Sequence, residues 1–384
     1  MTAPADIRVV DVTTTEGRKD FLRLPLRLYR GHPGYAPALL LERAAAIDPR
    51  KNPCFRHAEA ALFVAYRGNE PVGRISAQID RLAQARHGHD LGHFGSIDAI
   101  DDPTVYRALF SAVESWLAQR GVTRIQGPFS LTINEETGLM IDGFKSRPML
   151  MMAYHPPYAA GHVEALGYAK AKDTIAYDYD VTTAPPIENQ KLIDRAHADL
   201  AIKLRHLDMK HYRRDLDVIL GIFNDAWADN WGFVPMTEDE IAHTAHEMKP
   251  IILPDMVWIA EVDSEPASMI VCLPNVLEAT ADLDGKILPF GWAKLLWRLK
   301  VAGLKSSRVP LFGLRKKWHR SPYGAAIIFM LLDQLRLHGV KHKIDRSELS
   351  WILEDNTTIR KIIERVGGRA YKTFRVYEKR LNPS

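Results

Sequence analysis

Long apolar runs are the first absence. No stretch of the 384 residues reaches the roughly 18 consecutive apolar positions that a membrane-spanning helix needs. The opening residues, MTAPADIRVV, lack a basic segment followed by an apolar one, so no secretory leader is expected. Cysteine is scarce: Cys54 and Cys272 stand far apart in apolar surroundings, which excludes a disulfide scaffold and points to a reducing compartment. No CxxC and no clustered His/Cys spacing is present, so no metal is expected. These absences lead to the expectation of a cytoplasmic protein whose only membrane contact is peripheral. A local absence is more informative. Acidic residues vanish between Asp284 and Asp333, and Lys286 to Arg320 carries ten Lys or Arg, while the net charge of the whole chain is only +4. Such a run awaits an anion. The small overall charge speaks against nucleic acid.

The length exceeds one ordinary core and predicts two domains. The chain also resembles itself. LYRGHPGYAP (28–37) aligns with AWADNWGFVP (226–235) at a shift of 198, FVAYRGNEPVGRIS (63–76) with WIAEVDSEPASMIV (258–271) at 195, and the stretch 156–178 with 356–378 at 200. In the last match Glu164 meets Glu364, Gly167 meets Gly367 and Tyr177 meets Tyr377. Three matches in one order mean two copies of one fold. The expected boundaries are 1–180 and 203–384, with a linker over 181–202 that begins Pro-rich. Within each copy, β-rich runs around GNEP or DSEP precede a further strand, a helix (102–120 or 322–339), another strand (PMLMMAYH or ELSWILED), a helix ending at glycine and a closing strand. The class is α/β or α+β, two mixed twisted sheets flanked by helices.

That order, the strand RVPLFGLRKKW leading into HRSPYGAAII, and Asn356 followed eleven residues later by Gly367 resemble the GNAT acyltransferase superfamily. The resemblance implies an acyl-CoA donor whose pyrophosphate is held by backbone amides where a basic loop opens a helix. Carried onto this chain, the donor site takes Leu314, Arg315, Lys316, Lys317, Arg320, Ser321, Tyr323, Gly324, Ala325 and Asn356. A helix start offers free N–H groups and a partial positive charge, and the four cations add charge-assisted hydrogen bonds. An N–H near Leu314 would polarise the thioester. The first copy has Asp101 and Asp102 at the matching place, which repel phosphate, so the second copy is expected to hold the donor. The loop departs from R-x-x-G-x-G/A, because Arg320 puts Tyr323 at the first glycine. The tyrosine acid frequent in the superfamily falls at Ile363.

An amine must lose a proton before it attacks, so a carboxylate or imidazole is required. Glu354, Glu348 and His155 are the candidate bases; Asn230, Trp231, Phe233, Glu135 and Tyr154 are the candidate acceptor contacts. The competing readings are turn, cap and core chemistry. LPFGWAKLLWRLKVAGLK (288–305) is basic and amphipathic; it either touches lipid, lines an acyl tunnel, or is a packed helix with a charged face. Within the superfamily the chain resembles bacterial tandem proteins of the ceramide synthase type, which implies N-acylation of a small-molecule or lipid amine such as a sphingoid base. The alternatives are a non-catalytic acyl-CoA or lipid binder and a Fem-like transferase that draws on aminoacyl-tRNA.

Overall fold

A computed structural model describes residues 6–183, 190–199 and 201–381. The N-terminal half runs β1 (Ile7–Asp11), α1 (Thr15–Leu28), α2 (Leu40–Ala46), β2 (Ala58–Arg67), β3 (Glu70–Asp80), α3 (Arg81–His87), β4 (Leu91–Ala99), α4 (Pro103–Ala118), β5 (Arg124–Gly127), β6 (Leu139–Asp142), α5 (Tyr158–Ala165) and β7 (Ala169–Asp180). After α6 (Gln190–Asp199) the C-terminal half repeats the plan: β8 (Ile202–His206), α7 (Tyr212–Trp227), α8 (Glu238–Met248), β9 (Val257–Val262), β10 (Glu265–Pro274), α9 (Val276–Thr280), α10 (Gly291–Trp297), β11 (Ser306–Leu314), α11 (Pro322–Lys341), β12 (Arg346–Leu353), α12 (Thr357–Arg365) and β13 (Arg369–Arg380).

The strands form one mixed sheet in the order β1-β2-β3-β4-β5-β13-β7-β12-β11-β10-β9-β8, with β6 beside β13. The closing strands are exchanged. The last strand of the chain, β13, lies against β5 of the N-terminal half, while β7 lies against β12 of the C-terminal half. The two closing strands pair with each other antiparallel, and Thr174 faces Phe374. Those two residues are equivalent at the shift of 200, so a pseudo-twofold axis passes between them. Each tyrosine of the repeat reaches across it: Tyr177 donates to Glu364 at 2.9 Å and Tyr377 to Glu164 at 2.8 Å. Gly167 and Gly367 both take positive φ, +85° and +98°, where their helices stop. The boundaries at 1–180 and 203–384 therefore divide the repeat but not the sheet. Of the linker 181–202, residues 184–189 and 200 lie outside the described residues.

Apolar residues at helical spacing bury α4 through Val105, Tyr106, Leu109, Phe110, Val113 and Leu117. The C-terminal core likewise takes Ile327, Leu331, Leu332 and Leu335 of α11. Each such side chain contributes about 1.5–3 kcal/mol of burial.

The repeat is interrupted twice. Glu70 to Glu265 is a shift of 195, but Leu91 to Ser306 is 215, so the C-terminal half carries an insertion between β10 and β11. Arg124 to Arg346 is 222, but Tyr158 to Thr357 is 199, so the N-terminal half carries one between β5 and α5. The second insertion corrects one expectation. PMLMMAYH is not a strand; residues 143–157 are irregular, and the equivalent of β12 is β5. Tyr154 and His155 are thus not the counterparts of Glu354 and Asp355.

The exchange predicts that neither half folds alone. Produced separately, 1–183 and 184–384 should each lack a cooperative unfolding transition; co-expressed as two chains, they should purify as a one-to-one complex. A monomeric, cooperatively folding 1–183 would contradict the exchange.

Candidate active site

In the N-terminal half β4 and β5 run parallel for three pairs, Leu91–Arg124 to His93–Gln126, and then diverge. A cavity of about 130 Å³ opens there. Ser96 and Asp98 of β4 wall one side, Pro128, Ser130 and Leu131 the other, and α1 with the loop after it adds Phe21, Leu26, Tyr29 and Tyr35. The register of β3 on β4 slips between Arg74 and Ser76, and Ser96 has φ +46°. Such a bulge bends the strand and re-aims its side chains. The N-terminal insertion brings in Glu135, Glu136, Tyr154 and His155.

The polar groups of the cavity differ in kind. Asp98 is fully engaged, accepting from the Tyr29 hydroxyl at 2.7 Å and from Arg74 Nε at 2.8 Å. Glu136 forms an ion pair with Arg43 and accepts from Ser130 Oγ at 3.2 Å. Burial pushes the Glu136 carboxyl up, but the Arg43 guanidinium more than offsets it and holds the group below the usual range. For the adjacent Glu135, burial and then the charge of Glu136 win over Arg43, and its carboxyl is raised to about 8. Two neighbouring carboxyls are thereby set apart, one fixed as an anion and one poised to exchange a proton near neutrality.

His155 Nδ1 accepts the Met140 N–H at 3.2 Å. Burial lowers the imidazole, so the ring is neutral with its proton on Nε2. Its Nδ1 lone pair is occupied by this bond, which leaves Nε2–H to face a partner as a donor. Tyr154, raised by burial to about 12, shares a hydrogen bond with the His32 ring at 2.8 Å. Its ring meets those of Tyr29 and Tyr35 at 5.0 and 5.9 Å.

The other expected bases lie elsewhere. Glu354 pairs with Lys170 at 2.6 Å and accepts the Asp173 N–H at 3.1 Å. Glu348 is fully buried, with Lys372 Nζ at 3.0 Å and Arg308 Nε at 3.5 Å. Lys372 donates on to the Arg147 carbonyl at 2.7 Å and Arg308 to the Leu150 carbonyl at 2.8 Å. This buried network pins the insertion that presents Tyr154 and His155. Glu348 belongs to this network and is not among the residues that line the cavity.

The basic loop has its own partners. Lys316 pairs with Asp229 at 2.5 Å, Lys317 pairs with Glu265, and Arg315 Nε donates to the Pro266 carbonyl at 2.8 Å. Ser321 caps α11 by accepting from the Tyr323 N–H at 3.2 Å, and the Tyr323 hydroxyl donates to Asp199 at 2.6 Å. A Cβ on Gly324 would sit 2.3 Å from the Trp318 carbonyl oxygen, so this glycine is needed for a close backbone approach. Leu314 ends β11 buried, Ala325 lies half-buried in α11, and Asn356 caps α12. Arg320 is exposed and unpaired among the described residues.

Trp227 bridges the diverging ends of β11 and β12. Its indole N–H donates to the Phe312 carbonyl at 3.1 Å, and its ring lies 5.6 Å from that of Trp351. At the start of α4, Asp102 caps the helix by accepting from the Thr104 N–H at 2.7 Å, and Asp101 pairs with His162 at 2.7 Å. Asn230, Trp231 and Phe233 do not line the cavity; Trp231 and Phe233 pack against the N-terminal half. Phe233 is buried and its carbonyl meets His87 Nε2 at 3.0 Å; Trp231 packs with Ile133 and Val376; the Asn230 N–H bonds the Trp227 carbonyl at 2.8 Å. Ile363 is core. Sequence reasoning missed Asp98, Arg43 and Arg74. Tyr29, His32 and Tyr35 stood in the repeat segment LYRGHPGYAP and were legible there.

If Glu348 anchors the insertion, Glu348→Ala leaves Lys372 and Arg308 buried without their anion. Chemical denaturation should show a loss of about 3–5 kcal/mol. Glu135→Gln, which removes a carboxyl already destabilised as an anion, should unfold like the parent protein.

Comparison with known proteins bears on this geometry. No family model matches the chain. It is 48% identical over 378 residues to a bacterial ceramide synthase of Caulobacter vibrioides (strain NA1000 / CB15N), covering 98% of both chains. It is 44% identical over 366 residues to protein YghO of Escherichia coli (strain K12), covering 94% of this chain and 93% of that one. Among solved structures, a tandem GNAT protein from the clavulanic acid biosynthesis pathway superposes with a TM-score of 0.59 over 99% of this chain and 100% of that one, at 12% identity. That last likeness is one of fold. At this identity over nearly the whole length, the chain belongs to the bacterial ceramide synthase family and is an N-acyltransferase of tandem GNAT architecture.

Proposed function

We propose that the chain is an acyl-CoA-dependent N-acyltransferase that acylates a long-chain amine such as a sphingoid base, and that the reaction takes place in the N-terminal cavity. The observation that carries this reading is Glu135, a carboxyl raised to about 8 in a cavity walled by Phe21, Leu26, Tyr29 and Leu131. The name of the Caulobacter relative supports the acceptor class. Glu135 takes the proton of the attacking amine. The Nε2–H of neutral His155 donates to the oxygen that gains charge as the thioester carbon becomes tetrahedral. The C–S bond breaks and the thiolate takes its proton from Tyr154. Arg43 and Glu136 hold the pair of carboxyls in their unequal states.

One observation favours a second reading for the donor. Asp101 and Asp102 stand at the start of α4, whereas the start of α11 is basic with Arg320 free. In that reading the phosphates of CoA dock at α11, and Trp227 gives way between β11 and β12.

Glu135→Gln should lower kcat/KM by about 10²–10⁴-fold, the usual worth of a general base, with folding intact. In the parent protein kcat/KM should rise with pH and level above about 8, because the base acts as the carboxylate. Turnover of Glu135→Gln at the parental rate would remove Glu135 from the mechanism. For the donor, the second reading predicts that Arg320→Glu weakens CoA binding about tenfold or more in calorimetric titration, the loss of one charged hydrogen bond. Unchanged affinity removes Arg320 from the donor site and contradicts this second reading.

A further inference from the structure

The C-terminal insertion between β10 and β11 has no counterpart in the other half, so the repeat does not need it to fold. It spans residues 284–305 and includes α10 and the turn that continues it to Ala302. Its side chains are arranged against the ordinary rule of burial. Leu288, Phe290, Trp292, Leu296, Trp297 and Val301 are between 51% and 79% exposed. Six large apolar side chains left outward within fourteen residues mark an interaction site.

Charge decides what meets it. The insertion has no acidic residue after Asp284. Lys294 and Arg298 both turn back to Asp282, which fixes the helix with its aromatic face outward. Lys286 and Lys300 are exposed and make no ion pair among the described residues, and Lys305 is exposed beside them. A second copy of this chain on the same face would set lysines against lysines across a twofold axis. A surface that is apolar below and anionic above satisfies both the tryptophans and the lysines.

The insertion is rooted on the rim of the cavity. The Leu40 N–H donates to the Gly285 carbonyl at 2.9 Å, and Arg30 pairs with Asp284 at 3.1 Å. A Cβ on Gly285 would come within 3.1 Å of both the Ala38 carbonyl and the Leu40 side chain. Ala38, Leu40 and Leu277 line the cavity itself. A space of about 130 Å³ takes a head group and the reacting atoms but not a long hydrocarbon chain. The chain of a bound lipid has an apolar path out of the cavity past Ala38, Leu40 and Leu277.

We infer that residues 286–305 of the insertion dock the protein on an anionic bilayer surface, with Phe290, Trp292 and Trp297 at the interface, so that the cavity mouth faces the membrane holding its long-chain substrate. The purpose of docking rests on the reading of a lipid acceptor given above; the docking itself does not.

Co-sedimentation of the full chain with vesicles of mixed phosphatidylglycerol and phosphatidylcholine, and of phosphatidylcholine alone, tests it. The parent protein should bind the mixed vesicles, bind phosphatidylcholine at least about tenfold more weakly, and lose binding as salt rises. The double variant Phe290→Ser, Trp297→Ser should lose at least about tenfold in binding to mixed vesicles. Lys286→Glu with Lys300→Glu should erase the preference for the anionic lipid. Turnover of an acyl donor with a short-chain amine dissolved as monomers should be the same in all of these proteins. Failure of the parent to bind mixed vesicles, or equal binding by the serine variant, overturns the inference. So does a parental dimer in light scattering that the serine variant converts to monomer. Vesicle binding without turnover of any amine leaves the docking standing and removes the proposed function instead.

Discussion

The antiparallel pair of β7 and β13 is the constraint on which the rest of this molecule depends. Each is the closing strand of one repeat, and each completes the sheet of the other. Because Thr174 faces Phe374 across the axis, the halves are locked in one relative orientation by main-chain hydrogen bonds that no rigid-body motion between domains could spare. The reciprocal bonds of Tyr177 and Tyr377 to the glutamates of α12 and α5 tie the flanking helices into the same register.

That orientation sets each insertion against the opposite half. The N-terminal insertion is held from the C-terminal side: Asn275 accepts the Leu150 N–H at 3.0 Å and donates to the Pro148 carbonyl at 2.9 Å. The buried Arg308–Glu348–Lys372 network finishes the anchorage. Burying three charges is expensive unless each is satisfied; here Lys372 donates to the Arg147 carbonyl and Arg308 to the Leu150 carbonyl, both in the segment leading to Tyr154 and His155, and Arg308 also donates to the hydroxyl and carbonyl of Ser350. The C-terminal insertion in turn bonds to the N-terminal loop at Leu40. Duplication supplied two equal scaffolds, and the additions that break the symmetry gather at one of the two strand divergences. At the other, Trp227 and Trp351 meet.

The repeat, the α/β class and the basic loop were legible because they are local patterns: period, spacing and charge along the chain. The exchange of closing strands was not, since strand order leaves no trace in period or composition. The register of the repeat misled for a specific reason. Two insertions of similar length, one in each half, nearly cancel, so the outer matches agree at 195 to 200 while β5 and β12 stand 222 apart. A single shift therefore set Tyr154 opposite Glu354. Glu348 looked like a base because a carboxylate in a strand is exceptional; that it meets Lys372 and Arg308 is a fact of packing. Glu135 was visible as a candidate contact among apolar neighbours. Its raised carboxyl was not, because burial and the charge of Glu136 raise it against Arg43, and Arg43, the partner of Glu136, lies 93 residues from Glu136 on a short helix.

The central claim is that amide formation happens at Glu135 in the N-terminal cavity. A crystal structure with a stable amide product of a long-chain amine tests it most directly. The amide nitrogen is expected within hydrogen-bond distance of the Glu135 carboxyl, the acyl oxygen on the His155 side, and the hydrocarbon chain leaving past Leu40 and Leu277. An amide seated between Trp227 and Trp351, with the N-terminal cavity containing only solvent, would contradict it.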